Sequence, residues 1–390
     1  MAEQETVQIA KGANQQGVRD HNERLILSMI QRLGPLPGSE IAKQSKLSPQ
    51  TVSIILRSLE SDGFLAKGEP QRGRVGKPSI PMALAPDAAF SVGLKIGRRT
   101  ADALLTDIHG QICWESRLTY GYPDCDDILA FIKRGLDEID DYLGPKRQKR
   151  LAGIGIAMPS EMWNWYDKIG ATQDQLARWQ DFDLIDSIKA FCDLPVFIDN
   201  DATAACRAEL AFGQGRHHQN FAYFFLGSFI GGGVVLNGSV FEGPTKNAGA
   251  FGLLPAHMNG APMRQLIDAA SIYLLEDELE DQGVPQTQLW STPLDWSSFP
   301  APVNQWVEQT AQHLACSALT VCAVIDFESV IIDGALPDEV RKQLIAQTND
   351  ACIALDSRGL IRPKILEGSV GPNARALGAS SLPVTEKYFL

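Results

Sequence analysis

The sequence predicts an α/β protein in two parts, a winged helix-turn-helix over residues 19–86 followed by a larger, two-lobed α/β body. Three observations carry this. Apolar residues recur at helical spacing in short segments before residue 62, glycine-bounded strands alternate with longer helices from Ala88 onward, and the sign of the charge changes between the two regions.

In the first part, Leu25, Ile26, Met29, Ile30 and Leu33 mark one face of a helix that Gly34 and Pro35 end. Ser39 is expected to cap a short helix carrying Ile41 and Ala42. After a tight turn, Ser48 and Pro49 open another helix, whose apolar face is Val52, Ile55, Leu56 and Leu59. Its other face presents Gln50, Thr51, Ser53, Ile54 and Arg57, short polar side chains with a cation, which suit base edges in a major groove. Gly63 stops this helix, Phe64 to Lys67 reads as a strand, and the basic, turn-rich stretch leading to Leu84 reads as a wing. Arg72, Arg74 and Lys77 are its cations, and extended arginines beside glycine can enter a narrow minor groove. The candidate DNA contacts are therefore Ser48, Gln50, Thr51, Ser53, Arg57, Arg72, Arg74 and Lys77. The alternative is a winged helix used for protein contacts.

Charge supports the first reading. The 390 residues carry a formal net charge of -12, which excludes a wholly basic nucleic-acid coat. Resolved along the chain, residues 19–77 carry about +4 and the remainder about -16, a basic module on an acidic body. Hydrophobic residues at 44% and charged residues at 21% exclude a largely disordered chain. The seven cysteines are scattered with no C-x-x-C pair, which points to a reducing cytoplasm and no cysteine-built zinc site. Residues 1–18 read as a flexible, polar arm without a targeting signal. The stretch from His217 to Phe241 lacks charge, but Gly227, Gly231, Gly232, Gly233 and Gly238 divide it into two buried strands, so no membrane span is expected.

The body opens with three strands (FSVGLKIG, ADALLTDIHG, QICWESRLTY), a helix near DDILAFIKRGLDEIDDYL and a strand LAGIGIAMP. A second set follows from FAYFFLG, with GGGVVLNG, SVFEG, the helix HLACSALTVCAVID, the strand ESVIIDG and a closing helix in GPNARALGASSL. Two α/β halves imply a cleft between them.

These residues carry a resemblance. The winged-helix segment, the GRVGKPS wing, GIGIAMP, NDATAACRAELAFG, LGSFIGGGVVLNGSVFEG and NAGAFG together resemble the ROK family (repressors, ORFs and kinases), over about Arg19 to Ser381. The match is to its transcriptional-regulator branch, which implies an actin and hexokinase-like (ribonuclease H-like) body. Lobe 1 would span residues 87–202 with the helix at 371–390, and lobe 2 residues 203–370.

By the same resemblance, Asp201 stands at the family's catalytic base and Asn200 at a sugar-hydroxyl ligand; a strand end and helix cap is the plainer reading. Gln175 stands at another hydroxyl contact, with Trp179 as core or cleft wall, and Asp268 at an acidic sugar contact. The departures bear on mechanism. The acidic phosphate turn D-x-G-G-T reads Lys95-Ile96-Gly97-Arg98-Arg99, and Phe229 replaces a glycine in the second turn, Gly227 to Gly233. The sugar motif's Glu and His read Ala250 and Leu253, and the zinc loop is replaced by Asn259 to Ser271. Arg98 and Arg99 read first as solvated loop charges, second as an anion contact.

The resemblance implies a cytoplasmic DNA-binding transcriptional regulator of sugar-related genes, a repressor, binding operator DNA as a homodimer or higher oligomer. Its degenerate kinase-like domain would be catalytically inactive, with no catalytic residue, cofactor or metal, and would sense a small sugar-like effector. An active kinase with a DNA-binding appendage, or a regulator whose body only dimerises, are the alternatives.

Overall fold

The computed structural model describes residues 15–69, 80–169, 171–256, 263–291 and 293–390. Residues 1–14 of the expected arm and Arg72, Arg74 and Lys77 of the expected wing lie outside the described residues. The chain packs as two units, one of residues up to Ala89 with Val384–Leu390, the other Phe90–Pro383.

The first unit holds α1 (Gln15–Leu33), β1 (Leu36–Pro37), α2 (Gly38–Ser45), α3 (Pro49–Ser61), β2 (Leu65–Lys67) and β3 (Pro81–Leu84). The three strands form a small antiparallel sheet in the order β1-β3-β2, with Leu36 beside Met82 and Leu65 beside Leu84. Ile26, Ile30, Ile41, Val52, Ile55 and Leu59 are buried, so the helical stripes meet in one core. Ser39 does not cap α2. The helix starts at Gly38 with Pro37 in the cap position, and proline has no side-chain acceptor to cap it; Leu56 packs at the same end, where a Cβ on Gly38 would lie 3.2 Å from its Cδ1.

Val384–Leu390 complete this unit. Phe389 is 2% exposed, its carbonyl accepts from Arg24 Nε at 2.6 Å, and Leu390 N donates to Ser28 Oγ at 2.9 Å. The Tyr388 ring lies 5.0 Å from that of Phe64. The sequence reading groups residues 371–390 with lobe 1, whereas the division by packing falls inside that stretch.

The second unit contains, in order, β4 (Phe90–Ile96), β5 (Thr100–Asp107), β6 (Ile112–Thr119), α4 (Cys125–Gln148), β7 (Leu151–Met158), α5 (Gln173–Asp181), α6 (Leu184–Lys189), β8 (Val196–Asn200) and α7 (Asp201–Phe212). There follow β9 (Phe221–Leu226), β10 (Ile230–Leu236), β11 (Ser239–Val240), β12 (Pro255–Ala256), β13 (Arg264–Gln265), α8 (Ile267–Ala270) and α9 (Tyr273–Asp281). The last elements are α10 (Pro300–Val324), β14 (Ser329–Gly334), α11 (Asp338–Ala354), β15 (Lys364–Glu367) and α12 (Ala374–Tyr388). Two five-stranded sheets, ordered β6-β5-β4-β7-β8 and β11-β10-β9-β14-β15, repeat one plan: three antiparallel strands, then two parallel ones. The α/β fold read from the sequence is thus the fold of the body. The uncharged stretch from His217 forms β9 to β11, and no helix among the described residues is long and apolar enough to cross a membrane.

Backbone contact at α12 holds the body together. A Cβ on Gly155 of β7 would lie 1.8 Å from Ala379 O, and one on Gly378 would lie 1.6 Å from Ala204 O of α7. Only glycine permits these approaches.

Candidate functional site

In the first unit, Ser48 caps α3: its Oγ accepts from Thr51 N at 3.1 Å, and Pro49 takes the first helical position. The Ser48 and Thr51 hydroxyls also bond each other at 2.8 Å, which turns both toward holding the helix start. Gln50 and Arg57 are exposed, Ser53 is half-buried, and Ile54 is 58% exposed beside them. The face read from the helical period is therefore the outer face of α3. Three of the expected contacts, Arg72, Arg74 and Lys77, fall outside the described residues.

In the body, the C-terminal ends of strands from both sheets converge on a cavity of about 810 Å³ and a smaller one of about 190 Å³. Arg98, Pro159 and Asp201 line both, so the two meet there.

Asn200 caps α7, its Oδ1 accepting from Ala202 N at 3.0 Å and Thr203 N at 3.4 Å, while its Nδ2 donates to Ser160 Oγ at 3.3 Å. The cap is thus Asn200, and Asp201, the first helical residue, turns its carboxylate to Arg375 at 3.5 Å. Gln175 and Asp268 are not among the residues lining either cavity. Gln175 closes a capping box with Thr172, its Oε1 accepting from Thr172 N at 2.7 Å, and Asp268 accepts from the Tyr273 hydroxyl at 2.8 Å. Trp179 is core, donating from Nε1 to Pro123 O at 2.8 Å.

The two altered turns touch. The Arg98 guanidinium lies over the Phe229 ring at 3.4 Å, and Phe229 meets Tyr273 edge to face at 5.3 Å. Arg98 is therefore a packed side chain rather than a solvated loop charge. Burial pushes its guanidinium pKa down; Asp201 opposes and Arg375 reinforces this. The glycines of the second turn serve packing: a Cβ on Gly231 would meet Ala202 Cβ at 2.6 Å, and one on Gly233 would meet Cys206 Cβ at 2.4 Å.

Lys95, where the resemblance leads one to expect an acid, is 7% exposed and pairs with Asp102 at 3.0 Å, directly across the β4–β5 hairpin. Asp102 also binds Arg117. Burial pushes the Lys95 amine down to about 8 despite Asp102, with Arg375 adding to the fall. Sequence reasoning missed Asp102, Arg117 and Arg375. The signal for Arg375 was a lone cation in an otherwise apolar run, Ala374 to Ala379.

Glu276 is 6% exposed, and burial pushes its carboxyl up to about 7, against the Trp290 Nε1 hydrogen bond at 2.9 Å and the nearby Arg99 and Arg98. Between about pH 4.5 and pH 7 the folded form keeps a proton that the unfolded chain releases, so stability falls as pH rises through that window. Unfolding free energies from urea titrations at pH 5 and pH 8 should differ less in Glu276→Gln than in the parent chain, by about 2–3 kcal/mol. Equal pH dependence in both proteins would refute the assignment.

Among the described residues no group of three or more His, Cys, Asp or Glu is placed to hold a metal ion.

With this geometry in view, residues 91–264 match the ROK family and residues 19–66 match the winged helix-turn-helix DNA-binding family. The xylose repressor of Bacillus subtilis (strain 168) is 28% identical over 64% of this chain and 64% of its own length, so the match spans somewhat under two thirds of that relative. A solved ROK family transcriptional regulator, a homologue of the E. coli MLC protein, superposes with a TM-score of 0.68 at 18% identity, covering 95% of this chain and 97% of that one. A ROK family glucokinase from Streptomyces griseus, solved with glucose and AMPPNP, gives 0.58 at 17% identity over 75% of this chain and 99% of its own. At such identities the solved structures speak for the fold alone.

Proposed function

We propose that this chain, which joins a ROK family domain to a winged helix-turn-helix, is a DNA-binding transcriptional regulator, a repressor of sugar-related genes, whose body senses a small sugar-like effector. The observation that carries the reading is the capped helix α3 with Gln50, Ile54 and Arg57 on its outer face, within the segment matched to DNA-binding winged helices. The relative named xylose repressor supports it. On this reading Asn200 and Asp201 contact the effector, and the protein acts on operator DNA as a homodimer, since paired half-sites demand a two-fold.

A duplex selected by the protein from random sequence provides the test. At fixed salt, Arg57→Ala should weaken binding by roughly tenfold, the cost of one base contact or strong phosphate contact. Unchanged affinity removes α3 from the DNA face.

The body is proposed to be catalytically inactive. Lys95 cannot supply the carboxylate that a phosphate-bound metal needs, and the Arg98 guanidinium stacks on the Phe229 ring, joining the two turns by bulky side chains. Incubation with Mg-ATP and a panel of hexoses should give no phosphoryl transfer. Turnover that disappears in Asp201→Asn would establish the rival reading, a working kinase with a DNA-binding appendage.

A further inference from the structure

The outer face of α3 carries one side chain that folding does not explain. Ile54 is 58% exposed, whereas Val52, Ile55 and Leu59 of the same helix are buried in the core of the first unit. At about 100° per residue, Gln50, Ile54 and Arg57 fall within an arc of about 60°, opposite that buried stripe. All three are exposed. Water gives isoleucine no advantage there, since Lys or Ala forms helix more readily than a β-branched residue.

Other polar side chains of α3 are taken up inside the unit. The Ser48 and Thr51 hydroxyls bond each other, Ser58 Oγ accepts from Arg19 Nη2 at 2.9 Å, and Glu60 pairs with Lys67 at 2.6 Å. Among the described residues, the Gln50 amide and the Arg57 guanidinium have no such partner. The exposed arc is thus one apolar side chain flanked by an amide and a guanidinium. A protein partner would need a far wider apolar patch, because stable interfaces bury about 800 Å² on each side, and Ile54 is the single large apolar side chain exposed on α3. Base edges in a major groove fit the arc as it stands. Adenine offers an acceptor and a donor to an amide, guanine offers two acceptors to a guanidinium, and the 5-methyl group of thymine is the apolar feature. The net charge of about +4 over residues 19–77 suits a polyanion.

We propose that Ile54 reads the operator by packing its branched methyl groups on the 5-methyl group of a thymine, beside base pairs contacted by Gln50 and Arg57. This rests on the reading of the chain as a DNA-binding regulator and adds a specificity-determining residue to it. Along the helix axis Ile54 stands about 6 Å from Gln50 and about 4.5 Å from Arg57, one to two base steps of about 3.4 Å, so the thymine belongs to the same short run of bases. The β-branch holds χ1 nearly fixed, so little side-chain freedom is lost on contact. An uncharged contact releases no counterions, and Ile54 therefore sets sequence preference without adding to the salt-dependent part of the affinity.

The test is fluorescence anisotropy at fixed salt on the duplex selected from random sequence, with each thymine replaced singly by deoxyuridine, which lacks only the 5-methyl group. At one or more thymines the parent chain should lose about threefold to fivefold in affinity, the worth of one buried methyl. Ile54→Ala should bind the thymine duplex more weakly by at least that factor and should not distinguish thymine from uracil at that position, while Gln50→Ala still does. The slope of log affinity against log salt should be the same in Ile54→Ala as in the parent chain. Uracil tolerated at every position would overturn the proposal. So would a uracil penalty that persists undiminished in Ile54→Ala, a shallower salt slope in that variant, or duplex affinity equal to that of the parent chain. Any of these with duplex binding intact leaves the regulator reading standing, whereas failure to select any duplex refutes that reading and this inference with it.

Discussion

Ending the chain after Pro383 is expected to abolish DNA binding, although every residue removed lies about three hundred positions from α3. Val384–Leu390 belong to the first unit, where Phe389 is 2% exposed. Truncating a buried Phe to Ala costs about 3–5 kcal/mol. A unit of this size has in total only about 4–13 kcal/mol to lose. The deletion also removes the Phe389 carbonyl that Arg24 binds, the Leu390 amide that Ser28 accepts, and the Tyr388 ring against Phe64. Phe389→Ala alone should therefore lower duplex affinity and speed hydrogen exchange across α1 and α3, while the amides of β4 and β9 keep their protection. Exchange unchanged in α1 and α3 would show that the segment is ornamental to this unit.

Gly378→Ala is expected to be among the most damaging single substitutions in the body. Alanine is the better helix former by about 1 kcal/mol, so propensity alone would make the change stabilising. Contact decides the sign. The new Cβ would lie 1.6 Å from Ala204 O, an atom of another helix's backbone that no rotamer change can move. Helices α12 and α7 would have to part, and α12 also touches β7 at Gly155 and β4 at Gly93, so displacement on one side breaks packing on the others. Overpacking of this kind costs about 1–3 kcal/mol where side chains can yield, and more where they cannot. Low soluble yield and a lowered melting temperature check this. A melting temperature equal to or above that of the parent chain would contradict it. Ala379→Gly serves as the comparison, since it loses only helix propensity and one small buried methyl.

What the sequence made legible was local or periodic. Ser48 followed by Pro49 announces the start of α3, and the apolar stripe of Val52, Ile55 and Leu59 identifies its inner face before any contact is known. The repeated strand pattern likewise yields both sheets of the body. One local signal was overlooked: Thr172 and Gln175 have the spacing of a capping box, which gives the Gln175 side chain an occupation other than a ligand. Pairings across long stretches of chain could not be read this way. Arg98 and Phe229 lie 131 positions apart, and these two unusual turn residues become one stacked contact only in the folded body. The pairing of Lys95 with Asp102 needs the register of the β4–β5 hairpin, which alternation alone leaves open by two residues either way.

The membership of Val384–Leu390 in the first unit also bears on the order of events during synthesis. Residues 15–69 leave the ribosome early, yet the surface onto which Phe389 closes stays uncovered while all of Phe90–Pro383 is translated. A nascent chain thus carries α3 without the pieces that steady it, and the first unit is complete only after Phe90–Pro383 has been made. A ribosome that stalls within the body releases a product whose first unit lacks Val384–Leu390 and the contacts of Phe389.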